Sequence, residues 1–555
     1  MKKAIVIGLD GGTFDILGPL VESGELPTIK RLIEGGVSGR LRTVIPPGTG
    51  PAWSSIVTGL DPSNHGVYDL IVRADDSYNL AFLNASSLRA PTLWDLVGAY
   101  GGTVLVLNVP MTYPPRKVNG NMVSGLLTPL GSRDCTYPPD LLDTIFGIDP
   151  SYRIVPTQSY TPGRTGAFLE DLSEVVRSKA RVLVELMKRT DWAFAMQVFN
   201  ETDFLQHALW HVIDPEHPRH TKSEHERYAR RILDFYRLID EVIADLVDAA
   251  GDQASVVILS DHGHGPLHRF IHTNNLLLEH GMMRVKRSPT ARLKHLLFRA
   301  GFTPLNVYKA GNALGLGRLR MGMRWTSKGY DALRRLFFSF SDIDWPRSEA
   351  YGISGGVFGG LYVNLRGREP DGAVDADRYE QTRDRLEAVL TGLRRPDGEG
   401  PLIKQVLRRE EVYTGKFREE APDMLFLPYD PTLAVFGDFE FSSNKVLEPA
   451  SEAISAQHRM EGIFIARGEG IRKGGEVEGM SVLDVAPLLL YLMDLPIPDV
   501  LDGGFRKDVF DEAVLAARPP AYCKADEVPG IRLGERTSSE DESIKQRLKG
   551  LGYIS

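Results

Sequence analysis

The stretch Val256–Pro266, VVILSDHGHGP, constrains this chain more than any other. It opens on four mostly β-branched apolar residues that read as a buried strand, and Asp261 and His262 follow almost at once. Asp supplies a hard anionic oxygen and neutral His a borderline nitrogen, so such a pair is a common way to hold a divalent metal. The glycines let the backbone turn tightly and leave room for a ligand. Taken alone, the stretch fits a capped turn equally well, and the rest of the chain has to decide.

The same type of strand recurs. Ala4–Leu9, Leu105–Val109, Trp192–Phe199 and Ser255–Leu259 are short apolar runs. Helical stretches separate them, among them a helix start at Pro27–Ile33 and the longer Phe168–Arg189 and Ser223–Ala250. Alternating strands and helices predict an α/β/α sandwich with a mainly parallel central sheet. In such sheets ligands sit beyond the carboxyl ends of the strands, and Asp10, Asp203 and Asp261 each follow one.

From Gly281 to about Phe340 the character changes to about a dozen Lys and Arg against a single Asp, spread among Leu, Met, Phe and Trp. Two readings stand for this basic amphipathic segment, residues 281–340: solvated helices of an inserted cap, or peripheral contact with an anionic membrane or substrate. Residues 346–445 read as β-α-β material, with Gly-rich strands in YGISGGVFGGLYVNL, a helix at Asp377–Leu393 and a strand at Asp423–Leu427. Ile463–Ala466 and Leu483–Leu492 bring back the core pattern. The expected organisation is a catalytic core from 1–280 and 456–518, an inserted lobe at 281–455 and a polar tail at 519–555 with a short helix at Ser543–Leu551.

A chain of 555 residues can bury more than one core, and 42% apolar with 25% charged residues is ordinary for globular proteins. A net charge of -8 argues against a general nucleic-acid binder. The two cysteines, Cys135 and Cys523, form no CxxC, which excludes a cysteine zinc finger and a disulfide scaffold. The first apolar run ends in Asp10, too soon for a signal peptide, and the sequence has no 18-residue apolar span. A soluble cytoplasmic protein is expected.

Pro46–Gly59, PPGTGPAWSSIVTG, comes next in importance. Pro51 suits an early helical position, with Thr49 and Gly50 at the cap. Amides at a helix N-terminus suit a phosphate oxygen, and Gly50 permits close approach. Thr49 is either a plain cap or, with a metal beside it, a nucleophile. In NETDFLQHALWH, Asp203 and His207 are spaced i, i+4 and share a face if helical, with His211 on the same stripe. His458, in Gln457-His458-Arg459 ahead of the apolar GIFIA, offers another imidazole from what reads as a loop. Together these residues provide ligands for two ions, as a two-metal site requires.

The segments IGLDGG, PPGTGPAWSSIVTGLDPSNHG, ETDFLQH, SDHGHGP and HRMEGIFIARG occur in the order found in the alkaline phosphatase superfamily. The chain most resembles its type I phosphodiesterase/nucleotide pyrophosphatase family. Further stretches, from AYGISGGVFGGLYVNLRGREP to the closing DESIKQRLKGLGYI, resemble a microbial subgroup of predicted phosphohydrolases or phosphomutases. The resemblance implies one metal on Asp10, Thr49, Asp261 and His262, and a second on Asp203, His207 and His458. Zinc is the usual ion in the family, and some members use manganese. It further implies that Thr49 attacks phosphorus to give a phosphothreonine, with the Gly50 amide on the phosphoryl group.

One position departs from the pattern. The family places a phosphoryl-binding Asn after the HG motif, and that place falls here on Leu70, which cannot donate. His264 stands where an apolar residue is common, and a supporting role is expected of it rather than ligation. Neither cysteine lies in a Cys-x-Pro-x-Arg context, which excludes the sulfatase branch. The leading expectation is a phosphodiesterase or pyrophosphatase acting on a phosphate-ester small molecule. A phosphomonoesterase, a phosphonate hydrolase or a phosphomutase would share the site. A membrane-surface or scaffold protein with a structural metal site is the alternative of another class.

Overall fold

The computed structural model describes residues 1–74, 77–313, 336–353, 355–396, 398–437 and 441–529. Among these residues the main sheet has ten strands. Those used below are β1 (Ala4–Leu9), β2 (Val37–Arg42), β3 (Val104–Val109), β4 (Gly120–Ser124), β5 (Thr136–Tyr137), β6 (Phe194–Phe199), β7 (Ser255–Leu259) and, further on, β8 (Glu461–Arg467). Across the sheet they run β2-β8-β7-β1-β6-β3-β4-β5. β7, β1, β6, β3 and β4 are mutually parallel, while β8 runs antiparallel to both β7 and β2, and β5 antiparallel to β4. The mainly parallel sheet read from the sequence is therefore present, and its carboxyl edge gathers the ends of β1, β6 and β7.

Helices cover both faces: α1 (Pro27–Glu34), α2 (Thr49–Thr58), α3 (Thr165–Arg189), α4 (Glu201–Ile213), α5 (Lys222–Ala250) and α6 (Val485–Leu492). The period-2 geometry of β1 divides its side chains between two cores. Ile5, Ile7 and Leu9 enter the core shared with α3 and α5, and Ala4 and Val6 enter the one shared with α2 and α6. A strand buried on both faces must be apolar throughout, which is why AIVIGL carries no polar alternation.

The described residues between 269 and 449 build a lobe that includes two four-stranded sheets around a third core. Its first strand, Arg269–His272, pairs with Leu433–Phe436 and Leu447–Pro449, so the lobe's sheet begins ahead of the boundary at 280 read from the sequence. The helix expected at Asp377–Leu393 forms at Tyr379–Gly392. Tyr68, Phe358, Tyr413 and Leu425 pack together and join lobe to core. Tyr522–Cys523 pairs with Ile497–Pro498, so the start of the expected tail is tied down. Most of the second half of the basic segment (314–335) and the helix expected at Ser543–Leu551 lie outside the described residues. No helix among the described residues is long and apolar enough to cross a membrane.

His65, in the HG motif, shows how the fold sets a charge state. It is fully buried, takes the Val67 N–H on Nδ1 (3.1 Å) and meets Ser55 Oγ with Nε2 (2.9 Å). Both contacts suit a neutral ring, and burial, aided by Arg89, pushes its pKa down to about 3. Between about pH 6.5 and 3 the unfolded chain therefore binds a proton that the folded chain refuses, and stability falls as pH drops through that window, by about 1.4 kcal/mol per pH unit. His65→Gln should lose about 2 kcal/mol less than wild type between pH 7 and pH 5 in urea unfolding. Parallel pH profiles for the two proteins would refute this assignment.

Candidate active site

The carboxyl edge of the sheet holds two groups of donor atoms. In the first, Asp10 follows β1 and Asp261 follows β7. Asp10 is clamped through Oδ2 by Trp53 Nε1 (3.2 Å) and by Asn200 Nδ2. The Gly11 N–H holds Asp261 Oδ1 at 3.1 Å. The other oxygens, Asp10 Oδ1 and Asp261 Oδ2, lie 3.6 and 3.2 Å from His262 Nε2 and, although buried, have no hydrogen-bond partner among the described residues. Thr49 Oγ1 lies 3.5 Å from the same nitrogen.

Thr49 is the first residue of α2, and Gly48 takes the cap that the sequence placed at Thr49-Gly50. The threonine hydroxyl is thus released from capping and directed at the donor group. Gly50 lies against Leu70, for a Cβ there would come within 2.8 Å of Leu70 Cδ2. The neighbouring Asp69 takes the Leu70 N–H at 2.6 Å, and burial raises its carboxyl pKa to about 6.

The second group is assembled by α4 and a two-stranded ribbon, Gly263–Pro266 against Ala456–Arg459. One helical turn places Asp203 and His207 together, Oδ1 to Nε2 3.4 Å. The ribbon adds His458, which lies in a strand and not in the expected loop, and pairs it directly opposite His264. Their Nε2 atoms lie 3.5 and 3.1 Å from Asp203 Oδ1. Gly11, at φ +67°, leaves this space open, since a Cβ there would lie 3.2 Å from Asp203 Oδ1 and 3.3 Å from His264 Nδ1.

The ring contacts orient the nitrogens. His207, His262 and His458 each place Nδ1 on a backbone carbonyl, of Ala456 (2.8 Å), Gly263 (3.1 Å) and Pro47 (3.2 Å). A carbonyl only accepts, so each Nδ1 carries a proton, and each ring turns its Nε2 inward, with a lone pair there when the ring is neutral. His207 Nε2 and His458 Nε2 then face each other at 3.0 Å. Two bare nitrogens hold that distance only with a positive charge beside them, supplied by a proton or a metal ion.

Charge tells the same story. Burial, reinforced by Asp261 and Asp203, drives the Asp10 carboxyl well above its ordinary range, and burial lifts Asp261 to about 7. Burial would lift Asp203 too, but the imidazoles of His207, His458 and His264 hold it well below that range. Burial lowers His207, and pushes His262 and His264 far down, into the neutral form that ligates metals. Three buried carboxylates with unpartnered oxygens, ringed by inward lone pairs, fit divalent cations.

Of the residues singled out in the sequence, Asp10, Thr49, Asp203, His207, Asp261, His262 and His458 converge here, with Gly50 alongside Thr49. His211 does not join them. It is buried elsewhere, 3.8 Å from Glu224, and its N–H goes to Ser455. His264, expected to support, stands among the donors themselves. Asn200 and Trp53 were not foreseen. Asn200 directly follows β6, and Trp53 lies one helical turn after Thr49, signals legible only once the site is known.

Fold and site together define an α/β enzyme in which donors for divalent ions flank a helix-borne threonine. The model of the type I phosphodiesterase/nucleotide pyrophosphatase family matches residues 4–440, and the chain belongs to this family of metal-dependent phosphohydrolases. Among solved structures, phosphonoacetate hydrolase from Sinorhizobium meliloti 1021, in complex with phosphonoformate, is 16% identical with a TM-score of 0.51, over 89% of this chain and 95% of that one. Human ectonucleotide pyrophosphatase/phosphodiesterase 5 is 14% identical with a TM-score of 0.50, over 92% of this chain and 100% of that one. At such identities the likeness is one of fold alone. A search of curated proteins finds no match.

Proposed function

We propose that this chain is a phosphoric-ester hydrolase of the phosphodiesterase or pyrophosphatase type that uses two divalent ions and a phosphothreonine formed on Thr49. The observation that carries it is the pair of donor groups meeting beside the Thr49 hydroxyl. Asp10, Thr49, Asp261 and His262 would hold one ion, and Asp203, His207 and His458 the other. Bound divalent ions supply Lewis-acid stabilisation to oxygens that gain negative charge in the reaction.

The chain's own groups supply position. Trp53 and Asn200 fix the Asp10 carboxylate, and the carbonyls of Ala456, Gly263 and Pro47 fix three imidazoles. The start of α2 presents Thr49 Oγ1 to phosphorus and aims the Gly50 N–H at a phosphoryl oxygen. Attack by Thr49 expels the first alcohol or phosphate, and water then releases the second product and restores the hydroxyl. Zinc is the ion this nitrogen-rich donor set favours, with manganese as the other choice.

A screen of para-nitrophenyl phosphate, its bis ester, a phenylphosphonate ester and dinucleotides with Zn and Mn tests the reading. Turnover of the diester or a dinucleotide is expected to lead, and no turnover of any of the four would overturn it. Reaction in labelled water separates hydrolysis from a mutase, because a hydrolase places the label in the released phosphoryl product.

Leu70 leaves one phosphoryl contact unmade. Leu70→Asn should raise kcat/KM on the bis ester by about tenfold or more, because a hydrogen bond to a charged group is worth roughly 1.5–3 kcal/mol. An unchanged or lower value would show that Leu70 does not border the phosphoryl group.

A further inference from the structure

We propose that His264 is a fourth protein ligand of the ion held by Asp203, His207 and His458, so that this position is built from three imidazoles and one carboxylate. The inference rests on the two-ion reading above and adds a residue that the resemblance did not include.

His264 is about 1% exposed, and neither ring nitrogen has a hydrogen bond among the described residues. Leaving a buried polar atom unpaired costs about 1–3 kcal/mol, so an imidazole unpaired at both nitrogens is not an ordinary core residue. Its Nε2 lies 3.1 Å from Asp203 Oδ1, the shortest of the three imidazole approaches to that oxygen, yet out of line for a hydrogen bond. A residue that merely oriented Asp203 would make that hydrogen bond. Donor atoms of Asp203, His264 and His458 lie, with His262 of the neighbouring group, within 4.8 Å of one another, and His207 Nε2 lies 3.4 Å from the same Asp203 oxygen.

The backbone supports the same conclusion. Direct pairing across the ribbon fixes His264 beside His458, their ring centroids 5.2 Å apart, and puts it 4.4 Å from the His207 ring. Gly11 keeps the space beside Nδ1 clear. Three borderline nitrogens with one oxygen favour zinc over the harder manganese more strongly than two nitrogens would. His264 therefore sets which ion this position selects.

The test uses the full-length protein, stripped of metal and reloaded with Zn²⁺ or Co²⁺. Competition with a chromophoric chelator should resolve two zinc sites in the wild type. His264→Ala and His264→Gln should each weaken one of them by about 100-fold, the top of the range that loss of an orienting partner brings, and change the visible spectrum of cobalt bound there. The other site should stay within about threefold of wild type, and preference for zinc over manganese at the weakened site should fall. Unchanged affinities and an unchanged cobalt spectrum in a folded variant would overturn the assignment.

X-ray absorption of the wild-type zinc protein gives a second answer that needs no variant. Four imidazoles shared by two zinc ions support the assignment and three overturn it. A wild type that binds fewer than two ions would sink the two-ion reading itself. Two ions in the wild type with indifferent His264 variants would sink the ligand assignment alone.

Discussion

Thr49→Ala should lower turnover by at least about 1,000-fold while the protein keeps its fold and most of its metal. The hydroxyl lies 3.5 Å from His262 Nε2 and is one of several donors on its side of the site, so its loss removes the attacking atom but leaves Asp10, Asp261 and His262 in place. The fold should tolerate the change because Gly48, not Thr49, caps α2, so no cap is lost. Thr49→Ser retains a hydroxyl and should recover a measurable part of the rate. Steady-state kinetics paired with elemental analysis check this. Turnover within tenfold of wild type in the alanine variant would dismiss Thr49 as the nucleophile.

The second large effect should come from the donors. Chelation should abolish turnover, and zinc or manganese should restore it. His458→Ala and Asp261→Asn should each lower metal content below two ions per chain and reduce turnover by at least about 100-fold. Asp261→Asn carries a further signature. Without metal, Asp10, Asp203 and Asp261 are buried together, and charge buried without full compensation is costly. The metal-free Asp261→Asn protein should therefore melt higher than metal-free wild type, and the order should reverse when zinc is added. Calorimetry with and without zinc checks both arms. Two ions per chain in these variants, or the same melting order in both conditions, would count against the donor set.

This reversal would express a general relation between site and stability. The carboxylates are held at the edge of a sheet whose core is otherwise apolar, and one oxygen of each is buried without a hydrogen-bond partner among the described residues. Such an arrangement destabilises the empty fold and is relieved by a cation. Family membership fits that relation.

Much of the fold was legible in the sequence. AIVIGL and SVVIL announce strands buried on both faces, and both form with the expected bounds. The long helices are similarly written in their apolar period, so Phe168–Arg189 and Ser223–Ala250 reappear within a few residues as α3 and α5. The lobe was less legible. Its strands are short and Gly-rich, and Arg269–His272 finds its partners more than 160 residues later, in Leu433–Phe436 and Leu447–Pro449. Nothing local marks such a pairing.

The site divides along the same line. By itself the sequence determined what hangs at the ends of β1 and β7 and on one face of α4, because strand and helix periods place Asp10, Asp261, Asp203 and His207 by local rules. Tertiary structure alone decided that the ribbon Gly263–Pro266 with Ala456–Arg459 brings His264 and His458 to the same oxygen of Asp203. It alone decided that Trp53 and Asn200 clamp Asp10, and that Leu70 rests on Gly50. Those facts depend on contacts between segments from 20 to nearly 200 residues apart, which the packing of the sheet sets and no local pattern records.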